Sequence, residues 1–238
     1  KEAKGLTLRI VKSPIKDKLE TLYKLLGELK GESALVFCNQ RESVERVSNY
    51  LTEMGVDNEY FHGGMEQPER ERALSLFRNG SASVFISTDL ASRGLDIPEV
   101  KNVIHYHLPI NEEAFIHRNG RTARMNAEGN AFMILNEIET VPEYITREPD
   151  EFFLPEKAKK PLRSEWVTLT INRGKRDKLS KKDVVGFLFQ KGGLDKDDLG
   201  VVEIKESCAY AAVKRDKKEG LLARIREEKI KNMKAKFI

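Results

Sequence analysis

Residues 83–98 read SVFISTDLASRGLDIP (Ser83–Pro98), an apolar run that gives way abruptly to serine, threonine, arginine, glycine and aspartate. The first part, SVFIS (Ser83–Ser87), has the length and unbroken apolar character of a strand buried on both faces. The second part starts where that strand ends, and a parallel sheet gathers its ligands at the carboxyl ends of its strands. There Thr88 and Ser92 can hydrogen-bond phosphate oxygens and Arg93 can pair with them. Gly94 lets a backbone approach closely, and Asp96 can accept from ribose hydroxyls. By itself such a loop is more often an ordinary turn, so its neighbours decide the reading.

Upstream, ALVFC (Ala34–Cys38) is a second run of this kind, and NVIHY (Asn102–Tyr106) and NAFMIL (Asn130–Leu135) follow downstream. Between them lie helical patterns. Leu19, Leu22, Tyr23, Leu26 and Leu29 share a face and stop at Gly31; Val44, Val47, Tyr50, Leu51 and Met54 share another and stop at Gly55. Asn58–Phe61 suits a short strand, and Gln67, Pro68 and Glu69 open a helix that runs to Asn79 and Gly80. From Ile15 to about Leu135, then, strand and helix alternate, which predicts a parallel sheet with helices on both faces.

The stretch HRNGRTAR (His117–Arg124) sets Arg118, Arg121 and Arg124 around Gly120. Three guanidinium groups so close repel one another unless an anion lies between them. Either this is a solvated basic turn or it holds phosphate. NEEAFI before it opens a helix, with Asn111 as N-cap and Glu112 and Glu113 in the first turn. A helix continued from there would carry His117, Arg121 and Arg124 on one side.

The 238 residues carry a net charge of +4, unevenly spread. Residues 1–163 hold 23 Lys+Arg against 26 Asp+Glu, a net of −3, and residues 164–238 hold 19 against 12, a net of +7. A small basic unit points to an anionic polymer as partner. No apolar run approaches the ~18 residues of a membrane span, and no signal peptide opens the sequence, which begins at Lys1 like an excised piece. Cys38 and Cys208 have no framework or metal-ligand spacing, which suits a reducing cytoplasm, and neither is expected to be a nucleophile. Pro142, Pro149, Pro155 and Pro161 interrupt the pattern, so residues 1–147 are expected as one domain, 148–163 as a linker and 164–238 as a second domain. That second domain reads as a WVTLTI strand, a DVVGFLF helix, GVVEI and CAYAAV strands, a helix around Leu221–Ile225 and a last strand near Lys234–Ile238. The order is βαββαβ, a small α+β domain with a four-stranded sheet.

Four segments carry a family resemblance. ALVFCNQ (Ala34–Gln40), HGG followed by QPER (His62–Gly64 and Gln67–Arg70), STDLASRGLDIP (Ser87–Pro98) and HRNGRTAR have the order and spacing of the second RecA-like domain of DEAD-box RNA helicases. The resemblance covers about residues 15–140, and His117 at the head of the last motif favours this family over related helicases with glutamine there. Residues 164–238 resemble the RNA-binding domain of the DbpA kind, an RRM-like fold that recognises ribosomal RNA. Its anchors are LTINRGKRDKLSKKDVVGFL, GVVEI and CAYAAVKR. This sequence departs from the helicase pattern at Gln40, where threonine is usual, at Asn119, where isoleucine is, and at Ala123, where glycine is.

The resemblance implies roles for single residues. Arg121 and Arg124 would be arginine fingers that neutralise charge on a transferred phosphoryl group. His117 would couple the nucleotide site to a partner domain, and Asp96, beside Gly94, would meet the ribose. RNA backbone contacts would fall to Gln40, Gly63, Gln67, Arg70, Thr88 and Arg93. In the tail, Arg173, Lys175, Arg176, Lys178, Lys231 and Lys234 are candidate RNA contacts, and Tyr210 is the one aromatic in a position to stack a base. The substrate ATP and its Mg2+ would be held mainly by an N-terminal RecA-like domain, because these residues contain no GxxxxGK[ST] loop: Gly174 and Lys175 are followed by Arg176. DEFF (Asp150–Phe153) mimics a DExx metal motif in letters only. The 238 residues alone are therefore expected to be without ATPase activity. The leading expectation is the C-terminal half of an ATP-dependent RNA helicase, a cytoplasmic monomer acting on structured RNA, ribosomal RNA in ribosome assembly. The rival is a non-catalytic RNA-binding or regulatory protein on a helicase-like scaffold.

Overall fold

The apolar runs singled out above are neighbouring strands of one sheet. The computed structural model describes residues 5–123 and 128–238. Contacts divide the chain into two units, residues 1–74 with 83–163 and residues 75–82 with 164–238.

In the first unit, seven parallel strands lie in the order β3-β4-β2-β5-β6-β1-β7. They are β1 (Leu6–Lys12), β2 (Ala34–Cys38), β3 (Asn58–Phe61), β4 (Val84–Thr88), β5 (Asn102–His105), β6 (Gly129–Leu135) and β7 (Asp150–Glu151). Every residue of β2, β4 and β5 is buried, as strands covered on both faces must be. Helices α1 (Leu19–Glu28), α2 (Arg41–Glu53), α3 (Gln67–Arg78), α4 (Asp89–Ser92) and α5 (Glu112–Asn119) connect them, the last turn of α3 being grouped with the second unit. The largest core cluster joins Leu22, Leu25 and Leu26 of α1 and Val44, Val47 and Leu51 of α2 to Val36, Ile86, Ile104 and Ile134 of the sheet.

Two strands differ from the expectation. β1 precedes Ile15, where the strand and helix alternation was expected to begin. Its sequence LTLRIVK is only partly buried, so it lacks the unbroken apolar signature of the inner strands. β7 lies in the stretch expected to be a linker, and pairs with Arg9 and Ile10 of β1. Phe152 and Leu154 then pack against the main core, and Arg163 pairs with Asp57 at 2.9 Å. Residues 148–163 are thus part of the first unit. Their prolines preclude a long hydrogen-bonded ladder, but two apolar side chains suffice to fasten the strap to the surface.

The second unit has an antiparallel sheet of order β8-β10-β9, made of β8 (Trp166–Ile171), β9 (Leu199–Ile204) and β10 (Ala209–Lys214). Helices α6 (Lys181–Gln190) and α7 (Lys218–Ile225) cover one face through Val184, Leu188, Leu221 and Ile225, which meet Leu169, Ile171, Ala211 and Val213. Ser180 and Asp183 form the reciprocal cap of α6. The expected fourth strand is reduced to one bridge, Ile171 to Phe237, with Thr170 and Ile238 exchanging backbone hydrogen bonds at 2.8 and 3.0 Å. Phe237, stacked on Phe187 at 5.4 Å, pins this end. Nearer the start of the segment, the partners come partly from side chains: Lys236 N–H donates to Asn172 Oδ1 and Arg173 Nε to Lys234 O. Among the described residues no helix is long and apolar enough to cross a membrane.

Candidate nucleic-acid and nucleotide interface

Because β3, β4 and β2 are adjacent, their carboxyl ends bring three separate loops to one place. A cavity of about 480 Å³ opens there. Of the RNA-contact candidates in the first unit, Gly63, Gln67, Arg70, Thr88 and Arg93 all line it, as does Gly94. Thr88 caps α4, its Oγ1 accepting from Ala91 N–H at 3.2 Å. Gly94 has φ +78° with open space where a side chain would stand, so its backbone angle, not crowding, calls for glycine. Arg70 is fixed by the turn before α3: Nε donates to Met65 O at 2.9 Å and Nη2 to Gly63 O at 3.0 Å, with the guanidinium 5.1 Å from the Phe61 ring centroid. Gln40 stands outside this lining. It occupies the N-cap of α2 without a side-chain capping bond, and its neighbour Arg41 enters the cavity instead. Sequence reasoning missed Arg41, although its place as the first residue of α2, right after the apolar strand and its short loop, was legible.

The arginine segment resolves into unlike parts. Asn111 caps α5 as expected, accepting from Ala114 N–H at 2.8 Å, but the helix ends at Asn119 with Gly120 as its cap. Arg121 therefore lies beyond it, and the expected single helical face with His117 is not formed. The helix stops at glycine, a poor helix former, which here keeps right-handed angles, φ −64° and ψ −4°. Arg118 is 1% exposed and points into the protein. It makes a two-point pair with Asp89 and also donates to Asn39 Oδ1 at 2.8 Å and His107 O at 2.6 Å. Its charge is thus answered internally, by a carboxylate of the phosphate-loop candidate STDLASRGLDIP.

Arg121 reaches the same loop, donating to Ser92 O at 2.7 Å and Leu95 O at 3.2 Å. These bonds tie it to the loop that carries Asp96, which is exposed, as is His117. Arg124 lies outside the described residues. Asn119, unusual for the resembled family, has a local explanation in buried His105. The imidazole Nε2 is 2.8 Å from Asn119 Oδ1 and Nδ1 is 3.3 Å from Arg118 Nη1. Since guanidinium only donates, Nδ1 accepts, and the proton sits on Nε2, facing the amide oxygen. Burial, then the Arg118 charge, pushes the His105 pKa down to about 3, so the ring is neutral. Ala123 keeps a left-handed backbone, φ +55°, at a position where glycine is usual.

In the second unit the basic candidates converge. The turn Lys175–Asp177 is pinned by Lys175 N–H to Lys205 O and Arg176 N–H to Glu206 O. Gly174 precedes it because a side chain there would strike the backbone of Lys205 and Cys208. Lys231 Nζ donates to Lys178 O at 2.6 Å, and Arg173 bonds the 234 carbonyl. The loop after β8 and the C-terminal segment are so laced together, with Lys175, Arg176, Lys178, Lys231 and Lys234 exposed. Tyr210, by contrast, is 6% exposed and presents no open ring face.

Two families match the chain: the helicase conserved C-terminal domain over residues 17–126 and the DbpA RNA binding domain over residues 168–237. The ATP-dependent RNA helicase DbpA of Bacillus subtilis (strain 168) is 28% identical over 245 residues, covering 89% of this chain and 51% of its own. DbpA of Escherichia coli (strain K12) is 34% identical over 205 residues, covering 84% and 45%. Among solved structures, the E. coli DEAD-box protein SrmB, bound to regulator of ribonuclease activity A, matches with a TM-score of 0.56 at 30% identity, covering 66% of this chain and 96% of that one. The chain spans about half the length of these curated relatives. Fold and matches together define a helicase C-terminal domain followed by an RNA-binding domain. The chain belongs to the DEAD-box RNA helicases of the DbpA kind.

Proposed function

We propose that this chain is the C-terminal part of an ATP-dependent RNA helicase that acts on structured ribosomal RNA during ribosome assembly in the cytoplasm. The observation that carries the reading is the convergence of Gly63, Gln67, Arg70, Thr88 and Arg93 on one cavity. Guanidinium, amide and hydroxyl donors at one edge of a sheet suit a sugar-phosphate backbone, which is held without reading its sequence. Asp96 accepts from the ribose of ATP, and Arg121 and Arg124 face the transferred phosphoryl group, with His117 coupling this site to an N-terminal RecA-like domain. That domain binds the ATP phosphates and Mg2+. The juxtaposition of Arg121 with the Asp96 loop supports this assignment. The second unit tethers the engine through the laced basic face around Lys175, Arg176, Lys178 and Lys231. Base recognition is assigned to that face because Tyr210 is buried.

RNA crosslinking with mass spectrometry on the full-length protein, with a non-hydrolysable ATP analogue, tests the reading. Crosslinks are expected in residues 63–70, 88–94, 173–182 and 231–236. Crosslinks confined to other segments would return the chain to the rival reading, a non-catalytic RNA-binding or regulatory protein on a helicase-like scaffold.

A further inference from the structure

We propose that His62 is a positioning residue of this cradle, holding the Gly63–Gly64 turn in register through its Nδ1 atom; this rests on the RNA reading of the cavity. His62 follows the last residue of β3, and its side chain is 8% exposed. Nδ1 accepts from Gly64 N–H at 3.0 Å. A neutral imidazole has one acceptor and one donor nitrogen, so the proton lies on Nε2, which donates to Glu45 Oε1 at 2.8 Å. Glu45, on α2, selects the tautomer that leaves Nδ1 available to the turn.

The rest of the turn is tied with equal definition. Met65 N–H returns to His62 O at 3.2 Å, and Arg70 takes the carbonyls of Gly63 and Met65. Arg41 stands over the turn: a side chain built on Gly63 would come 2.8 Å from its Nη2. Arg70 therefore fixes the carbonyls and His62 fixes the Gly64 amide. Gly63 lies between them, exposed to the cavity under Arg41. Without the Nδ1 acceptor, the Gly64 amide has to find another partner and the turn can rotate away from the arginines.

Two near-isosteric substitutions separate this role from space filling. Asparagine places its amide oxygen near the position of Nδ1; glutamine reaches the position of Nε2. His62→Asn keeps the acceptor for Gly64 and loses Glu45, whereas His62→Gln does the reverse. The test is nuclear magnetic resonance on the ¹⁵N-labelled full chain, titrated with single-stranded decauridine and read at the Thr88 and Gly94 amides. His62→Asn should bind within about twofold of the parent and His62→Gln about 5–10-fold more weakly, the range of one lost hydrogen bond. In the parent, the imidazole resonances should show a protonated Nε2 and a bare Nδ1. Equal binding by the two variants, or a protonated Nδ1, overturns the proposal. If the parent's Thr88 and Gly94 amides do not respond to decauridine, the RNA reading of the cavity itself fails, and the proposal with it.

Discussion

Arg118 and Asp89 form a two-point ion pair, Nε 2.7 Å from Oδ1 and Nη2 2.8 Å from Oδ2, with the arginine side chain 1% exposed. The pair ties α5 to the loop after β4, the two elements that carry the nucleotide-facing candidates. Breaking a buried pair by removing one partner is costly because the other charge stays behind. Arg118→Met should cost about 3–5 kcal/mol in chemical denaturation of the chain. Arg118→Lys should recover only a minor part, since an ammonium cannot reproduce the planar fork. A loss below about 1 kcal/mol in Arg118→Met would show that the pair contributes no net stability.

Arg121 differs, for it reaches out to the loop after β4 and donates there to the carbonyls of Ser92 and Leu95. Arg121→Ala should cost the fold about 1.5–3 kcal/mol, the range of hydrogen bonding by a charged group. In the full-length protein it should lower ATP turnover by roughly 10³–10⁵, the range of an arginine finger. RNA affinity through the second unit should stay within about twofold. Near-normal turnover would leave Arg121 as a clamp on the 92–95 loop.

These two arginines mark where the sequence could be read and where it could not. Inner strands were legible because burial on both faces leaves an unbroken apolar run, as in ALVFC and NVIH. β1 and β7 were not, because a strand near the edge tolerates Arg9 or Asp150. The cavity-lining residues were found by motif order, but motif order cannot tell which of three arginines turns inward. The partner of Arg118, Asp89, lies 29 residues away, and no local pattern announces it. The basic tail was legible as charge, whereas the burial of Tyr210 depends on packing that spacing alone does not encode.

Ala123 offers a test of backbone strain. Its φ of +55° costs a non-glycine residue about 1–2 kcal/mol. Glycine would remove that strain while adding about 0.5–1 kcal/mol of unfolded-state entropy. Ala123→Gly should therefore stabilise the chain by about 0.5–1 kcal/mol, measured by denaturant midpoint at constant slope. A destabilised variant would mean that the methyl group, 6% exposed with its residue, contributes more by packing than it costs by strain.

Glu59 gives a pH dependence of definite sign. It sits on β3 with Arg72 Nη1 3.6 Å away, yet burial outweighs that charge and raises its pKa from 4.5 to about 7. The folded state thus binds the proton more tightly than the unfolded state. Its contribution is fully present below pH 4.5 and is lost as the pH rises to about 7. Glu59→Gln, which cannot ionise, should flatten the stability profile across that window and leave the chain more stable at pH 8, by up to about 3 kcal/mol. If parent and variant run parallel between pH 4.5 and 7, the carboxyl is better solvated than its surroundings indicate.

The charge division between the units bears on how RNA is held. A first unit of net −3 with a few backbone contacts should bind RNA weakly by itself, while residues 164–238 carry +7. Binding by the second unit releases counterions, so its affinity falls with salt at a slope of about −0.7 per phosphate contact on single strands and about −0.9 on duplex. Lys175 and Arg176 are exposed on a turn whose backbone is pinned by Lys205 and Glu206, so their loss leaves the fold intact. Lys175→Ala with Arg176→Ala, in the full chain, should flatten the slope by about 1.4–1.8 and weaken binding at every RNA sequence tried. Arg93→Ala in the cavity should change the slope of the chain without its N-terminal partner by much less than one contact, because that unit contributes little affinity alone. The measurement is a salt titration by fluorescence anisotropy against a structured ribosomal hairpin and an unrelated hairpin. An unchanged slope in the double variant would remove the 175–176 turn from the RNA face. A large change in Arg93→Ala would move the main attachment to the first unit.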